Sequence, residues 1–302
     1  MNALSFEGVS HAELVSVSTA FTPGTHVVLG SERDGTHTLV QLAAGVAPPS
    51  AGHVQLNGVA PFTSAATRRA VGSLCANEAL PHARTVSAAL ALALRARADA
   101  RSVTSVLGAA GLTRLAARRT SELTARETRA IALALALSHP KPHLLALHEP
   151  LSLVDLVREE FILEALSAAA DSGVIVLASA SGLEDASRLG GEAHALDRGI
   201  WLDSAHARLP ALRATLRVQT PDPRRLAARL SEVPDIQGVS WAGASELLVH
   251  GSNLERLAHS VVSNARAEAI QISALRQELP ALDALSAARA SMARPTAPTR
   301  PE

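Results

Sequence analysis

Residues 25–44 read THVVLGSERDGTHTLVQLAA. Thr25–Leu29 is a β-branched, apolar run predicted as a strand. Gly30–Gly35 is a polar turn bounded by glycines, and Thr38–Ala44 has the apolar content of a helix. A strand that turns tightly into a helix leaves the first helical N–H groups without intrahelical partners. Those donors, together with the helix dipole, favour an anion such as phosphate. Working outward, Val15–Val17 is a predicted strand before this unit, and Gly45–Gly52 is a Pro-containing turn after it. His53–Leu56 and Val71–Leu74 follow as strands. The pattern is helical from Thr85 to about Arg119 and again over Leu123–Leu137, where Thr124 or Ser121 is a candidate N-cap. Pro140 and Pro142 end that helix. The strand His143–Leu147, the amphipathic helix Arg158–Ala170, the strand Val174–Ala178 and the short helix Leu183–Leu189 come next. Strands alternating with helices predict an α/β fold around a mainly parallel sheet.

Beyond Leu212 the order changes. Thr215–Gln219 reads as a strand, Asp222–Ser231 as a helix, Gly238–Trp241 with Glu246–Val249 as a hairpin, Leu254–Ala267 as a helix and Ile270–Leu275 as a strand. This β-α-β-β-α-β order predicts a small α+β, ferredoxin-like unit. The expected organisation is an α/β domain over residues 1–212, with a helical subdomain at about 85–135, a C-terminal domain over 213–285, and a disordered tail over 286–302.

Composition excludes several classes. Lys+Arg and Asp+Glu both total 28 and aromatics are 2% of the 302 residues. The basic excess and stacking surfaces of a nucleic-acid binder are therefore missing, and no nucleic-acid partner is expected. The single cysteine, Cys75, cannot form an internal disulfide and fits a reducing compartment. The longest apolar runs, Ala88–Leu94 and Ile131–Leu137, fall well short of the roughly 20 residues of a membrane span. The first residues, MNALSFE, lack a leader pattern. A cytoplasmic protein is expected.

Several segments, in order, resemble the motifs of ATP-binding-cassette (ABC) transporter ATPases. Val27–Thr38 resembles a P-loop, and Gly45–Gly58 the Pro-containing turn and strand behind it. Arg68–Leu80 resembles the strand entering the glutamine loop. Ser121–Leu137, with Leu123, Thr124, Ala125, Arg126 and Glu127, resembles the signature segment and its helix. Leu144–Asp155 resembles the Walker B strand, catalytic glutamate and D-loop. Val176–Leu189 resembles the histidine-loop strand, and Ala195–Leu202 a closing hairpin. The resemblance covers about residues 5–212 and implies a P-loop NTPase-like ABC fold. The appended βαββαβ domain and the segment Glu278–Asp283 resemble exporters whose ATPase and permease are separate chains.

The departures from the pattern are functional. The resemblance implies a phosphate cradle at Gly30, Ser31, Glu32, Arg33, Asp34, Gly35, Thr36, His37 and Thr38. Thr36 stands where the family has the P-loop lysine, and Lys141 is the only lysine in the chain. His37 replaces a Mg²⁺-binding hydroxyl, His148 the Walker B aspartate, Ser181 the histidine and Ala76 the glutamine, and Ala125 and Arg126 replace the signature glycines. Glu32 and Asp34 bring two carboxylates into the cradle. Glu149, the general base by resemblance, and Asp155 of the D-loop are retained, Glu149 as a relic. ATP and Mg²⁺ are the family's cofactors, and these substitutions argue against tight binding here. No metal is expected, although His37 and His148 have zinc-ligand chemistry. Arg126 and Arg129 read as a solvated helix face. The function implied is a non-catalytic ATPase-like subunit of an exporter, with a membrane permease and an ATPase-type dimer partner, held at the inner face of the membrane. The alternatives are a scaffold that uses the fold for protein binding and a residually active ATPase.

Overall fold

A computed structural model describes residues 2–202, 214–251 and 254–277. The expected boundary near 212, the segment Glu278–Asp283 and the tail from 286 lie outside the described residues. The chain divides into two compact units, one comprising Met1–Gly182 with His194–Trp201 and the other Leu183–Ala193 with Leu202–Glu302.

The first unit opens with β1 (Leu4–His11), β2 (Leu14–Phe21) and β3 (Gly24–Leu29), followed by α1 (Thr36–Ala43) and β4 (Ala51–Leu56). The antiparallel sheet β2-β1-β4 buries Leu4, Phe6, Val9, Val17, Phe21, Val54 and Leu56. Sequence reading passed over β1, and the reason is physical. The register shifts between Phe6 and Val9, with Gly8 at φ 59°, so that Phe6 and Val9 face inward three residues apart. A bulge of this kind breaks the period-two signal on which strand recognition depends.

Next come α2 (Ala65–Arg69), β5 (Val71–Leu74), α3 (Val86–Ala96), α4 (Val103–Ala109), α5 (Ala125–Leu137), β6 (Leu144–Leu147), α6 (Glu159–Asp171), β7 (Ile175–Ala180), α7 (Leu183–Leu189), β8 (Glu192–Asp197) and β9 (Ile200–Leu202). The six-stranded sheet runs β5-β6-β7-β3-β8-β9, and β5, β6, β7 and β3 are mutually parallel. Every residue of β6 and β7 is buried, as expected for central parallel strands covered on both faces. The helical stretch expected from Thr85 to Arg119 is interrupted: α3 ends at Ala96 and α4 begins at Val103, capped by Ser102. Glu159 and Glu160 occupy the first turn of α6, where carboxylates complement the helix dipole.

The second unit contains β10 (Ala214–Gln219), α8 (Pro223–Leu230), β11 (Ile236–Gly243), β12 (Glu246–Gly251), α9 (Leu254–Ala267) and β13 (Ala274–Gln277). Its antiparallel sheet has the order β11-β12-β10-β13, that of a ferredoxin-like βαββαβ fold. Asp222 caps α8 ahead of Pro223, whose missing N–H costs nothing at the first helical position. Leu216, Val218, Leu226, Leu247, Val249, Leu257 and Val261 form this unit's own core. The last strand starts at Ala274, later than the Ile270 expected, because Ile270 packs into that core from the turn after α9.

Candidate functional site: a phosphate cradle filled by its own carboxylate

The parallel strands bring Gly30, after β3, and His148-Glu149, after β6, to the same C-terminal edge of the sheet. The Gly30 N–H donates to the Ala180 carbonyl at 3.1 Å. Gly35 has φ 90°, and a Cβ there would lie 2.8 Å from Leu14 Cδ2, so both backbone and space call for glycine. Between the two glycines, Glu32–Asp34 makes a single 3-10 turn that folds the Asp34 carboxylate back into the loop. Asp34 Oδ2 accepts from the Ser31 N–H at 2.8 Å and from the Ser31 hydroxyl at 2.7 Å, and Oδ1 accepts from the Arg198 N–H at 3.0 Å. The Asp34 N–H donates to Ser31 O and the Gly35 N–H to Glu32 O, each at 3.0 Å. The Thr36 hydroxyl donates to Ser31 O at 3.2 Å. The N–H groups of Ser31, Asp34 and Gly35 are thus bonded within the loop itself. Glu32 adds a second carboxylate, 69% exposed. Arg33 has no side-chain partner among the described residues.

His148 is buried and Glu149 sits in the left-handed region at φ 46°. That strained conformation is held by Ser179, whose hydroxyl accepts the Glu149 N–H at 3.1 Å, and by Ser152, whose hydroxyl donates to the Glu149 carbonyl at 2.7 Å. His148 Nδ1 lies 2.9 Å from the same Ser179 hydroxyl, and its Nε2 faces Glu32 at 3.8 Å. Ser181, at the histidine position, is exposed beyond the end of β7. Ser179, two residues earlier, is the side chain that enters the site. A fully buried strand gives no alternation that would have singled it out.

Arg129 corrects an expectation. It does not lie on a solvated face: its Nη2 donates to the His148 carbonyl at 2.7 Å. Burial pushes its pKa below the usual guanidinium range, opposed by the nearby carboxylates of Glu149 and Glu78. Glu149 therefore faces a fixed cation of its own chain. Arg126 is exposed but engaged, donating to the Ser152 carbonyl at 2.9 Å and pairing with Asp155. Thr124 caps α5 in a reciprocal box. Its hydroxyl accepts from the Glu127 N–H at 3.2 Å, and its N–H donates to the Glu127 carboxylate at 2.9 Å. Leu123 and Ala125 flank this cap and bring no polar side chain.

His37 and His148 come together, their ring centres 6.3 Å apart. Thr38 donates to Glu13 at 2.8 Å and lies 3.2 Å from His37 Nε2. Mg²⁺ requires an oxygen set, and the two positions that would supply it carry imidazoles, so the residues present do not fit that ion. For zinc, no third His, Cys, Asp or Glu among the described residues converges with both rings. Burial, with Glu78 beside it, pushes the Cys75 thiol up to about 12, so it is not a thiolate near neutral pH.

Burial pushes the His148 pKa down, which gives the site a pH signature. The unfolded chain binds the proton first, so this contribution to stability is full above the unfolded value of about 6.5 and is lost as pH falls. Lowering pH from about 7.5 to about 5.5 should therefore depress the thermal midpoint of the native chain more than that of His148→Asn. Equal slopes in a melting series would contradict this.

No family model matches the chain. It is 34% identical over 157 residues to the Fe(3+) ions import ATP-binding protein FbpC of Streptomyces coelicolor, covering 50% of this chain and 45% of that protein. It is 34% identical over 144 residues to the molybdate/tungstate import ATP-binding protein WtpC of Archaeoglobus fulgidus, covering 46% and 59%. It is 33% identical over 133 residues to the thiamine import ATP-binding protein ThiQ of Histophilus somni, covering 42% and 62%. The chain thus spans about half the length of these relatives. Among solved structures, an ATP-binding subunit of an ABC transporter superposes with a TM-score of 0.57 at 18% identity, over 69% of this chain and 93% of that one. A dimeric ATP-binding cassette bound to ADP and Pi superposes with a TM-score of 0.55 at 18% identity, over 65% and 95%. The chain has the α/β fold of an ABC ATPase domain. No helix among the described residues is long and apolar enough to cross a membrane.

Proposed function

We propose that this chain is a non-catalytic, ATPase-like subunit of an ABC exporter that docks on a membrane permease and pairs with a second ATPase-type subunit. The observation that carries the loss of catalysis is the Asp34 carboxylate, an anion built into the loop that takes the Ser31 N–H and hydroxyl and the Arg198 N–H. Glu149 supports the same reading. A base alone contributes about 10²–10⁴-fold to rate, and here it faces Arg129, with neither a P-loop lysine nor Mg²⁺ ligands beside it. On the signature side, Arg126 stands at a glycine position and is tied to Asp155, which opposes close approach of a partner's nucleotide. The named relatives are import proteins; the exporter assignment rests on the appended βαββαβ unit. Steady-state phosphate release by the purified chain should equal a buffer blank, and Glu149→Gln should change nothing. Turnover that Glu149→Gln abolishes would overturn the proposal.

A further inference from the structure

The N-terminal edge of the parallel sheet, opposite the cradle, carries an open cavity of about 670 Å³. It lies where α2 leads into β5, where α3 leads toward α4, and where the chain turns into β6. Arg69, Arg97, Arg101 and Lys141 line it, with Asp99 as the one carboxylate and His139, Pro140 and alanines as the remaining wall. Four permanent cations against one anion leave an excess of three positive charges, in a protein whose net charge is zero. Asp99 is spent on Arg101, bound through Nε at 3.0 Å and Nη2 at 2.5 Å. Arg97 donates one bond, to the Leu135 carbonyl at 3.0 Å. The side chains of Arg69 and Lys141 have no hydrogen-bond or ion-pair partner among the described residues.

His139 joins the backbones of the two residues that carry these cations. Its Nε2 lies 2.7 Å from the Arg69 carbonyl, so that nitrogen carries the proton, and its Nδ1 accepts from the Lys141 N–H at 3.2 Å. The ring is therefore neutral and clamps the backbones of Arg69 and Lys141 to one rim. Burial pushes its pKa down, in agreement with that role. Three guanidiniums and one ammonium around a cavity within the usual volume range for small ligands have the donor chemistry that the oxygens of a phosphate group accept.

We propose that this cavity binds a small soluble polyanion of the phosphorylated-metabolite class, at a site separate from the closed P-loop. The experiment is calorimetric titration of the full chain with inorganic pyrophosphate, repeated for Arg69→Ala and Lys141→Ala. Both residues are exposed, so neither change should unfold the protein. As a control, Arg224→Ala removes the same charge from the second unit. Pyrophosphate should bind the native chain and the Arg224→Ala chain alike, and bind about tenfold or more weakly to either cavity variant, the loss expected for one charge-assisted hydrogen bond. No heat of binding to the native chain, or equal affinity across all four proteins, would overturn the proposal. So would binding only to phosphatidylglycerol vesicles and not to pyrophosphate, since that outcome assigns the cations to a lipid surface.

Discussion

Asp34→Gly combined with Thr36→Lys should give a chain that binds ATP at least about tenfold more tightly than the native protein, as read by displacement of a fluorescent nucleotide. The glycine frees the Ser31 N–H and hydroxyl and the Arg198 N–H, which now close on the Asp34 carboxylate. The lysine supplies a cation at the position from which the P-loop lysine reaches the β- and γ-phosphates. Each charge-assisted hydrogen bond contributes about 1.5–3 kcal/mol, so one retained contact suffices for the gain. Thr36→Lys alone should gain far less, because its amine would pair with Asp34 or Glu32 before a nucleotide arrived. Loss of the Ser31–Asp34 box should cost about 1 kcal/mol of stability, visible as a lower melting midpoint. Equal nucleotide affinity in the native chain and the double variant would show that the carboxylate is not what closes the loop.

Phe21→Ala should destabilise the first unit by about 3–5 kcal/mol, the usual cost of truncating a buried aromatic. Phe21 is fully buried, with edge-to-face contacts to Phe6 at 6.2 Å, His26 at 5.1 Å, His194 at 5.4 Å and Trp201 at 5.6 Å between ring centres. In a chain with four phenylalanines and two tryptophans, this cluster uses half of them. Two of these neighbours are tied to each other, His26 Nδ1 lying 3.2 Å from His194 Nε2, which limits their movement into the space the ring would leave. Phe21→Leu, which keeps most of the volume, should cost clearly less. Urea titrations that give similar midpoints for the native chain and Phe21→Ala would refute the cluster's role as the anchor of β2.

The parallel core was legible because β6 and the start of β7, Ile175–Ala178, are apolar runs bounded by turn residues, the pattern of strands buried on both faces. β1 was not, because its bulge changes the spacing of its buried residues. The site's residues were found in order, but their engagements were not. Glu32 and Asp34 read as repulsive charges in a cradle, whereas Ser31 and Asp34, three apart, also carry the pattern of a capping box, the signal that reveals the internal anion. Arg129 was misplaced because a helix face is inner or outer only relative to what packs on it. The His148 carbonyl that receives it lies just past the end of β6, nineteen residues further on.

On the proposed function, the loop closed on its own Asp34 carboxylate takes no nucleotide. Calorimetric titration of the native chain with Mg·ATP tests it most directly, with Arg69→Ala and Lys141→Ala run beside it to remove any contribution from the basic cavity. The account predicts no heat of binding that survives the cavity substitutions. Saturable one-to-one binding that persists in both cavity variants would contradict it.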